Sequence, residues 1–474
     1  MREPEDESYS EEQSSKRHEI LSSKGRSNEK RRFMMVKRSL ILAALISVTA
    51  VSLSFGSTTR LQTLRVGGFV EDDSDIFINP ALVAYYPNLV IGELGTYSAS
   101  SPYAKNGENL EDQWLGLTYG METLAGGLVF NRDIPMVSGI ENYPMYYSGY
   151  PFDYPIRPIN PIEMMLAYES NGMAVGGRIY KIGAGHTDEQ RVEDTTWTQY
   201  WRSDTKLTRG SGIWDFAGGF GMDLGGGNKL DAYGNIGLFS FSSEDEVTIT
   251  WRDTLMAVDT SWTNATRDES EGGKYVGFGG RGFFSMNRRM RIVPLVEFST
   301  MNFTEKAEEV YPDTTITSET ENSEMSLKVG VGMNTRLARH TLLVCGVSFL
   351  YHSETTEPEE AGKRETTSWT LPLFQAGIET DLTKWFIARL GVQKAHAKIT
   401  EKYTGEAGSR KQTYESTTTY SGSPLDFLSV GFGIKLDQLL IDATLIEEIP
   451  YTGTYLFSGI SDNICGRITA TYHF

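Results

Sequence analysis

Apolar and polar residues alternate with a period of two along much of the chain. The last stretch shows the pattern well: Phe474, Tyr472, Ala470, Ile468 and Gly466 fall on one face, and His473, Thr471, Thr469, Arg467 and Cys465 on the other. Upstream, Met325, Leu327, Val329, Val331, Met333, Thr335 and Leu337 oppose Ser326, Lys328, Gly330, Gly332, Asn334 and Arg336. Leu428, Val430, Phe432, Ile434 and Leu436 repeat the rule, as do Trp214, Phe216, Gly218, Phe220 and Met222. Sandwich strands average about 5–6 residues, so alternation sustained this long fits strands that cross a bilayer, which need about 9–11 residues. The pattern predicts an all-β protein: a transmembrane antiparallel barrel of 14–16 strands, apolar outside and polar or small inside.

Turn residues mark the strand ends. Short connections fall near 120–123, 170–172, 224–228, 287–288, 338–340, 382–384 and 437. Asn171-Gly172 and the run Gly225-Gly226-Gly227-Asn228 supply residues that accept positive φ. Between them lie polar stretches near 99–111, 133–160, 184–211, 243–272, 304–323, 353–365, 398–424 and 448–462, expected to be long outer loops. Short and long connections then alternate, which gives 16 strands with both ends on the periplasmic side. Parity slips around Leu373 and Phe374, where a β-bulge is expected. Pro294 and Pro372 each remove a ladder donor within strand-like runs.

The N-terminus reads as an address. Residues 1–33 are charged and Ser-rich, with no apolar period to bury. Met34-Met35-Val36-Lys37-Arg38 precedes an apolar stretch from Leu40 to Leu53, short of the ~20 residues that span a bilayer. A basic head, a short apolar body and the exit Ser54-Phe55-Gly56 match a secretory signal peptide cleaved after Gly56. Translation from Met34 or Met35 would leave residues 1–33 outside the protein; the rival reading is a cytoplasmic tail with a membrane anchor. The expected organisation is 1–56 extension and signal, 57–88 a separate segment, and 89–474 the barrel, placed in the outer membrane of a Gram-negative cell with outer-membrane lipid as its solvent. No later segment approaches a transmembrane helix, and only closed barrels offer lipid an alternative to helices.

Charge and chemistry exclude more than they assign. The net charge is −18, from 44 basic and 62 acidic residues, and no basic face is gathered for nucleic acid. The 6 histidines are scattered without metal spacing. The 2 cysteines, Cys345 and Cys465, are read as small strand residues rather than a disulfide. No GxSxG or HExxH occurs, and the glycines from Gly277 to Gly282 lie on an alternating strand rather than a phosphate-binding turn. No enzyme, cofactor or metal is expected. The acidic, Thr-rich stretches Glu305–Glu324 and Glu354–Glu365 read as a solvated surface or as a cation-attracting vestibule. Asn142–Pro161, with five Tyr and five Pro, reads as an inward constriction, a partner contact or a stiff interfacial loop.

Ahead of the first strand runs Gly67-Gly68-Phe69-Val70-Glu71-Asp72-Asp73-Ser74-Asp75-Ile76-Phe77-Ile78-Asn79-Pro80-Ala81-Leu82. Asn79-Pro80 favours a turn, with Asn held extended before proline. Asp72, Asp73 and Asp75 suit inward Arg or Lys of a surrounding wall; a plain capped turn before a strand is the simpler reading. The segment resembles the N-terminal hatch of the FadL family, outer-membrane transporters of long-chain fatty acids and other hydrophobic molecules. The likeness rests on the Gly-containing run, the pair Asp72-Asp73, and Asn79-Pro80-Ala81-Leu82. It implies a luminal plug in which Asp72, Asp73, Asn79, Pro80 and Ala81 are hatch positions, and a hydrophobic small molecule as cargo. Related PorV-type barrels, which serve protein secretion, carry the same signature. The family barrel has 14 strands against 16 counted here, and its ligand-pocket residues have no match in this chain.

The terminal Phe474 with Tyr472 two places before it resembles the C-terminal signal of outer-membrane proteins, which implies recognition by the barrel assembly machinery. Three functions follow as expectations: a hydrophobic-molecule channel whose greasy pocket draws on Tyr233, Phe239 and Trp385; a barrel for protein secretion or surface interaction; and a general diffusion porin, which the polar inward rows favour and a plug disfavours.

Overall fold

A computed structural model describes residues 59–94, 114–132, 159–195, 199–253, 258–358, 362–407, 410–421, 427–445 and 465–474. The expected signal peptide with its cleavage point, and the loops at 99–111, 133–158 and 448–462, lie outside them.

The wall comprises β1 (Leu89–Leu94), β2 (Trp114–Met121), β3 (Leu124–Phe130), β4 (Ile159–Ser170), β5 (Met173–Thr195), β6 (Gln199–Gly225), β7 (Asn228–Asp253), β8 (Val258–Ser285) and β9 (Met290–Tyr311). It continues with β10 (Thr314–Ala338), β11 (Thr341–Pro358), β12 (Lys363–Asp381), β13 (Phe386–Ala407), β14 (Arg410–Ser421), β15 (Phe427–Leu436), β16 (Leu439–Leu445) and β17 (Cys465–His473). Consecutive strands pair antiparallel, except β14 with β15. β14 and β15 share one wall position, pairing with the outer and inner parts of β13. β17 pairs with β1, setting Tyr472 opposite Val90, and closes a barrel of 16 strands. The C-terminal residue lies just past β17, where the Phe474 N–H donates to the Asn88 carbonyl at 3.1 Å.

The seven short connections fall where the turn residues place them. Asn171 and Gly172 take φ of 53° and 77°, the left-handed pair that a two-residue hairpin requires. The bulge expected near Leu373 is present: the register of β12 shifts on both sides of Leu371-Pro372. Pro294 lies within β9, opposite Val331.

In five expected outer loops, at 184–211, 243–272, 304–323, 353–365 and 398–424, the described residues are instead largely strand. They continue the ladders of β5 to β14, so that β8 reaches 28 residues. Apolar alternation reports contact with lipid; it is silent about strands whose two faces meet water. Threonine, β-branched, suits such strands, and cross-strand pairs join them, as Thr248 with Thr263 at 2.9 Å and Thr400 with Thr417 at 3.2 Å.

Next to the short turns, the outward rows form an apolar belt. Leu115, Leu117, Met164, Leu166, Val175, Phe216, Ile236, Phe278, Val329, Val331, Leu390 and Tyr472 all point out and are exposed. Their inward neighbours are small or polar and buried, including Asp215, Lys328, Ser429, Thr469 and Thr471. A closed ladder with this belt satisfies the backbone within lipid and removes the sheet edge.

Candidate functional site

Residues 59–88 occupy the lumen at the level of the belt. Helix α1 (Thr59–Leu64) is followed by single 3-10 turns at Gly67–Phe69, Asp73–Phe77 and Pro80–Ala84. Their contacts run round the wall: α1 against β12, β13 and β15–β17, the first turn against β9–β11, and the last against β3–β6.

The local shape follows from the aspartates and Asn79. Asp72 caps the second turn, accepting from the Ser74 N–H at 3.1 Å, while Asp75 accepts from the Asp72 N–H at 2.9 Å in a reciprocal capping box. Asn79 caps the third turn through the Ala81 N–H at 3.1 Å, with Pro80 at its first position. The Asn79 amide also donates to the Phe220 carbonyl of β6 at 2.9 Å. The capped-turn reading and the wall-docking reading therefore describe the same residues.

Glycines on the inward rows receive the segment. A Cβ on Gly332 would stand 2.5 Å from the Phe69 ring, and one on Gly330 2.8 Å from it. Gly176 faces the Pro80-Ala81 peptide, where a Cβ would come within 2.6 Å, and Gly377 meets the Leu64 carbonyl at the same distance. A side chain at these points would drive the segment off the wall.

Two apolar clusters complete the docking. Leu61, Leu64, Val66, Phe69 and Val70 pack with Phe283, Val293, Leu295 and Val344. Ile76, Phe77, Leu82 and Val83 pack with Ile91, Trp114, Ala125, Val129, Met165 and Ala167. Phe77 meets Trp114 edge-on at 5.0 Å.

Buried ion pairs fix the register. Arg281 of β8 pairs with Asp75 and with Asp231 of β7, and donates to the Gly68 and Val70 carbonyls at 3.2 and 3.3 Å. Arg178 of β5 donates to the Phe77 carbonyl at 2.7 Å and pairs with Asp215. Asp72 takes its cation from the segment itself: Arg60 lies 2.8 Å away and reaches on to Glu379 of β12 at 2.9 Å, which Arg389 also holds at 2.6 Å. Of the three aspartates expected to meet wall cations, Asp75 meets one, Arg281, whereas Asp72 pairs with Arg60 of the segment itself, which in turn reaches the wall carboxylate Glu379. Asp73 sits half-buried beside Asp72. Arg281, Arg178 and Arg60 escaped the sequence reading; Arg281 and Arg178 follow glycine pairs on inward rows, and Arg60 lies in the threonine-rich start of the luminal segment.

Electrostatics follow burial. Burial raises the Asp72 carboxyl, but Arg60 more than offsets this and leaves it well below the usual range. Burial, with the Asp72 charge beside it, pushes Asp73 up. Burial holds Asp75 at about 6 against the opposing charge of Arg281, which Asp231 shares.

Beyond these pairs, on the side away from the short turns, a third apolar cluster lines the lumen. It comprises Tyr180, Ile182, Ile213, Phe239, Phe241, Met301 and Phe303, with Tyr275 against it. Phe303 meets Phe239 and Phe241 edge-on at 5.5 and 5.7 Å. Of the three aromatics expected to form a greasy lumen, Phe239 belongs to this cluster. Tyr233 instead lines a small cavity of mixed character, with Asn79, Asp231, Arg281 and Glu297 beside the apolar Ile78 and Leu295. Trp385 lies in the turn between β12 and β13 and is exposed, because the turn, and not the alternation, sets its direction.

No family model matches the chain, and no curated protein matches it. Among solved structures, the chain is similar to the Pseudomonas putida toluene transporter TodX, at 8% identity and a TM-score of 0.36, over 89% of this chain and 98% of that one. It is similar to a Pseudomonas aeruginosa FadL homologue at 11% identity and a TM-score of 0.36, over 86% and 96%. The monoaromatic hydrocarbon channel CymD aligns at 10% identity and a TM-score of 0.29, over 87% and 96%. These are likenesses of barrel architecture.

Proposed function

We propose that the chain is an outer-membrane channel for hydrophobic small molecules, with residues 59–88 as the hatch that closes its lumen. The observation that carries this reading is the apolar cluster of Tyr180, Ile182, Ile213, Phe239, Phe241, Met301 and Phe303, which lines the lumen beyond the ion pairs that hold the segment. A water-filled pore has no use for seven buried apolar side chains across its lumen, whereas an apolar cargo is bound by such a lining with a few fixed polar groups at its floor. Here the floor is the array of Arg281, Asp231, Asp215 and Arg178. Displacing the segment opens the path; the ion pairs and the glycine contacts set how much energy that takes.

The test is ligand capture. Purified protein extracted with organic solvent should release lipid-like or aromatic molecules, and the stripped protein should bind a long-chain fluorescent fatty acid that unlabelled fatty acid displaces. Absence of both retained and displaceable ligand overturns the reading.

A second reading, surface interaction with a protein partner, is favoured by the tall wall that β5 to β14 raise beyond the belt. It would be supported by a stoichiometric partner held by those extensions.

A further inference from the structure

In a chain of net charge −18, the outward charges nearest the far end of the apolar belt on three strands are lysines. Lys181 of β5, Lys274 of β8, and Lys394 and Lys398 of β13 are exposed and point out. Each borders belt residues. The Lys181 ammonium stands 4.7 Å over the Trp214 ring. Lys274 lies opposite Leu238 in the β7–β8 ladder. Lys394 and Lys398 lie opposite Phe374 and Trp369 in the β12–β13 ladder. Trp369 in turn contacts Tyr351, an aromatic pair of the kind that sits at headgroup depth. Among the described residues, the outward belt rows on these strands hold no carboxylate; the belt-level acids Asp215, Asp231 and Glu297 all point inward and are buried. Glu271, three residues from Lys274, is engaged by Lys306 at 2.9 Å.

We infer that these lysines are a contact zone for the phosphate groups of anionic lipids in the leaflet on the long-strand side. A lysine stem lies along the apolar belt while its ammonium reaches the headgroup layer. A phosphate there gains charge-assisted donors that water-facing acids elsewhere on the wall would repel. Thr417 and Thr419 of β14, exposed beside Thr400 and Lys398, add hydroxyl donors on the same outward face. The zone is continuous with the lipid-facing belt, which commits its occupant to a membrane lipid rather than free phosphate. It rests on that belt and not on the cargo.

The test reconstitutes the full chain in phosphatidylcholine bilayers with trace spin-labelled phosphatidic acid or spin-labelled phosphatidylcholine. The motionally restricted fraction of each reports lipid at the wall. Phosphatidic acid should exceed phosphatidylcholine by about fivefold, the scale of one lysine near a membrane surface. The combined variant Lys181→Gln, Lys274→Gln, Lys394→Gln, Lys398→Gln should bring the ratio to near one. Lys206→Gln, an exposed lysine farther along β6, should leave it high. Heat-modifiable gel migration verifies that each barrel is folded. A ratio near one in the unaltered protein overturns the inference. So does an equal fall in Lys206→Gln, which would indicate net charge alone. Loss of the excess in 10 mM inorganic phosphate, but not in chloride of equal ionic strength, would assign a free-phosphate site and overturn the lipid commitment. If neither label is restricted, the lipid-facing belt itself has failed, which is a separate result.

Discussion

Arg281 of the wall and Asp75 of the luminal segment form a buried ion pair, with Asp231 sharing the guanidinium. The same arginine donates to two carbonyls of the segment. Removing it leaves two carboxylates without their cation in a water-poor lumen, which costs about 3–5 kcal/mol at such sites. Arg281→Gln should therefore loosen residues 67–78 while the barrel stays folded. Hydrogen exchange at those amides should rise by at least about tenfold, given that 1.4 kcal/mol is a factor of ten.

The glycine contacts make a sterically clean test. A methyl on Gly332 collides with Phe69, whereas one on Gly218 meets nothing within 4 Å. Gly332→Ala should weaken docking by about 1–3 kcal/mol, the range for overpacking. Gly218→Ala should be neutral. Limited proteolysis of the segment in detergent-solubilised barrel separates them: faster cutting in the first, unchanged cutting in the second.

Docking should depend on pH through Asp75. Its carboxyl rises from an ordinary 3.8 to about 6 when buried. The docked state therefore holds more protons than the released one between those values, and protons favour docking. Asp73, raised for the same cause, acts in the same direction. Asp72, held low by Arg60, would favour release only below the ordinary range. Protection of residues 72–78 should strengthen as pH falls from about 6 toward 4 and be flat above about 7. Asp75→Asn should remove most of that slope.

The apolar layer carries the cargo prediction. Each phenylalanine buries a side chain worth about 1.5–3 kcal/mol. Phe239→Ala and Phe303→Ala should each weaken fatty-acid binding by about tenfold or more in a fluorescence titration. Trp385→Ala, in an exposed turn, should leave affinity unchanged.

The barrel was legible because lipid enforces a period of two at the positions that face it. The rows at 325–337 and 428–436, the turn Asn171-Gly172 and the bulge near Leu373 all followed from that rule and from turn chemistry. The extensions at 243–272 and 304–323 did not, since strands wetted on both faces carry no such period. Within the site, Asp72, Asp73, Asn79 and Pro80 stood out as hatch positions, and Asp72 and Asn79 are caps, while their partners did not stand out. Arg281 lies about 200 residues from Asp75, and Phe69 meets Gly332 and Gly346 from distant strands. Pairings of that kind come from closing the ring, and one chain of letters holds no record of which inward positions face each other across it.

Under the proposed function, residues 59–88 close the lumen beneath an apolar cluster, as suits a hydrophobic cargo. Planar-bilayer recording of the unaltered protein in 1 M KCl checks that closure. No steady ion conductance is expected at low voltage, and steps should appear in Arg281→Gln as the segment loosens. A large, stable conductance from the unaltered protein would mean an open aqueous pore and would contradict it.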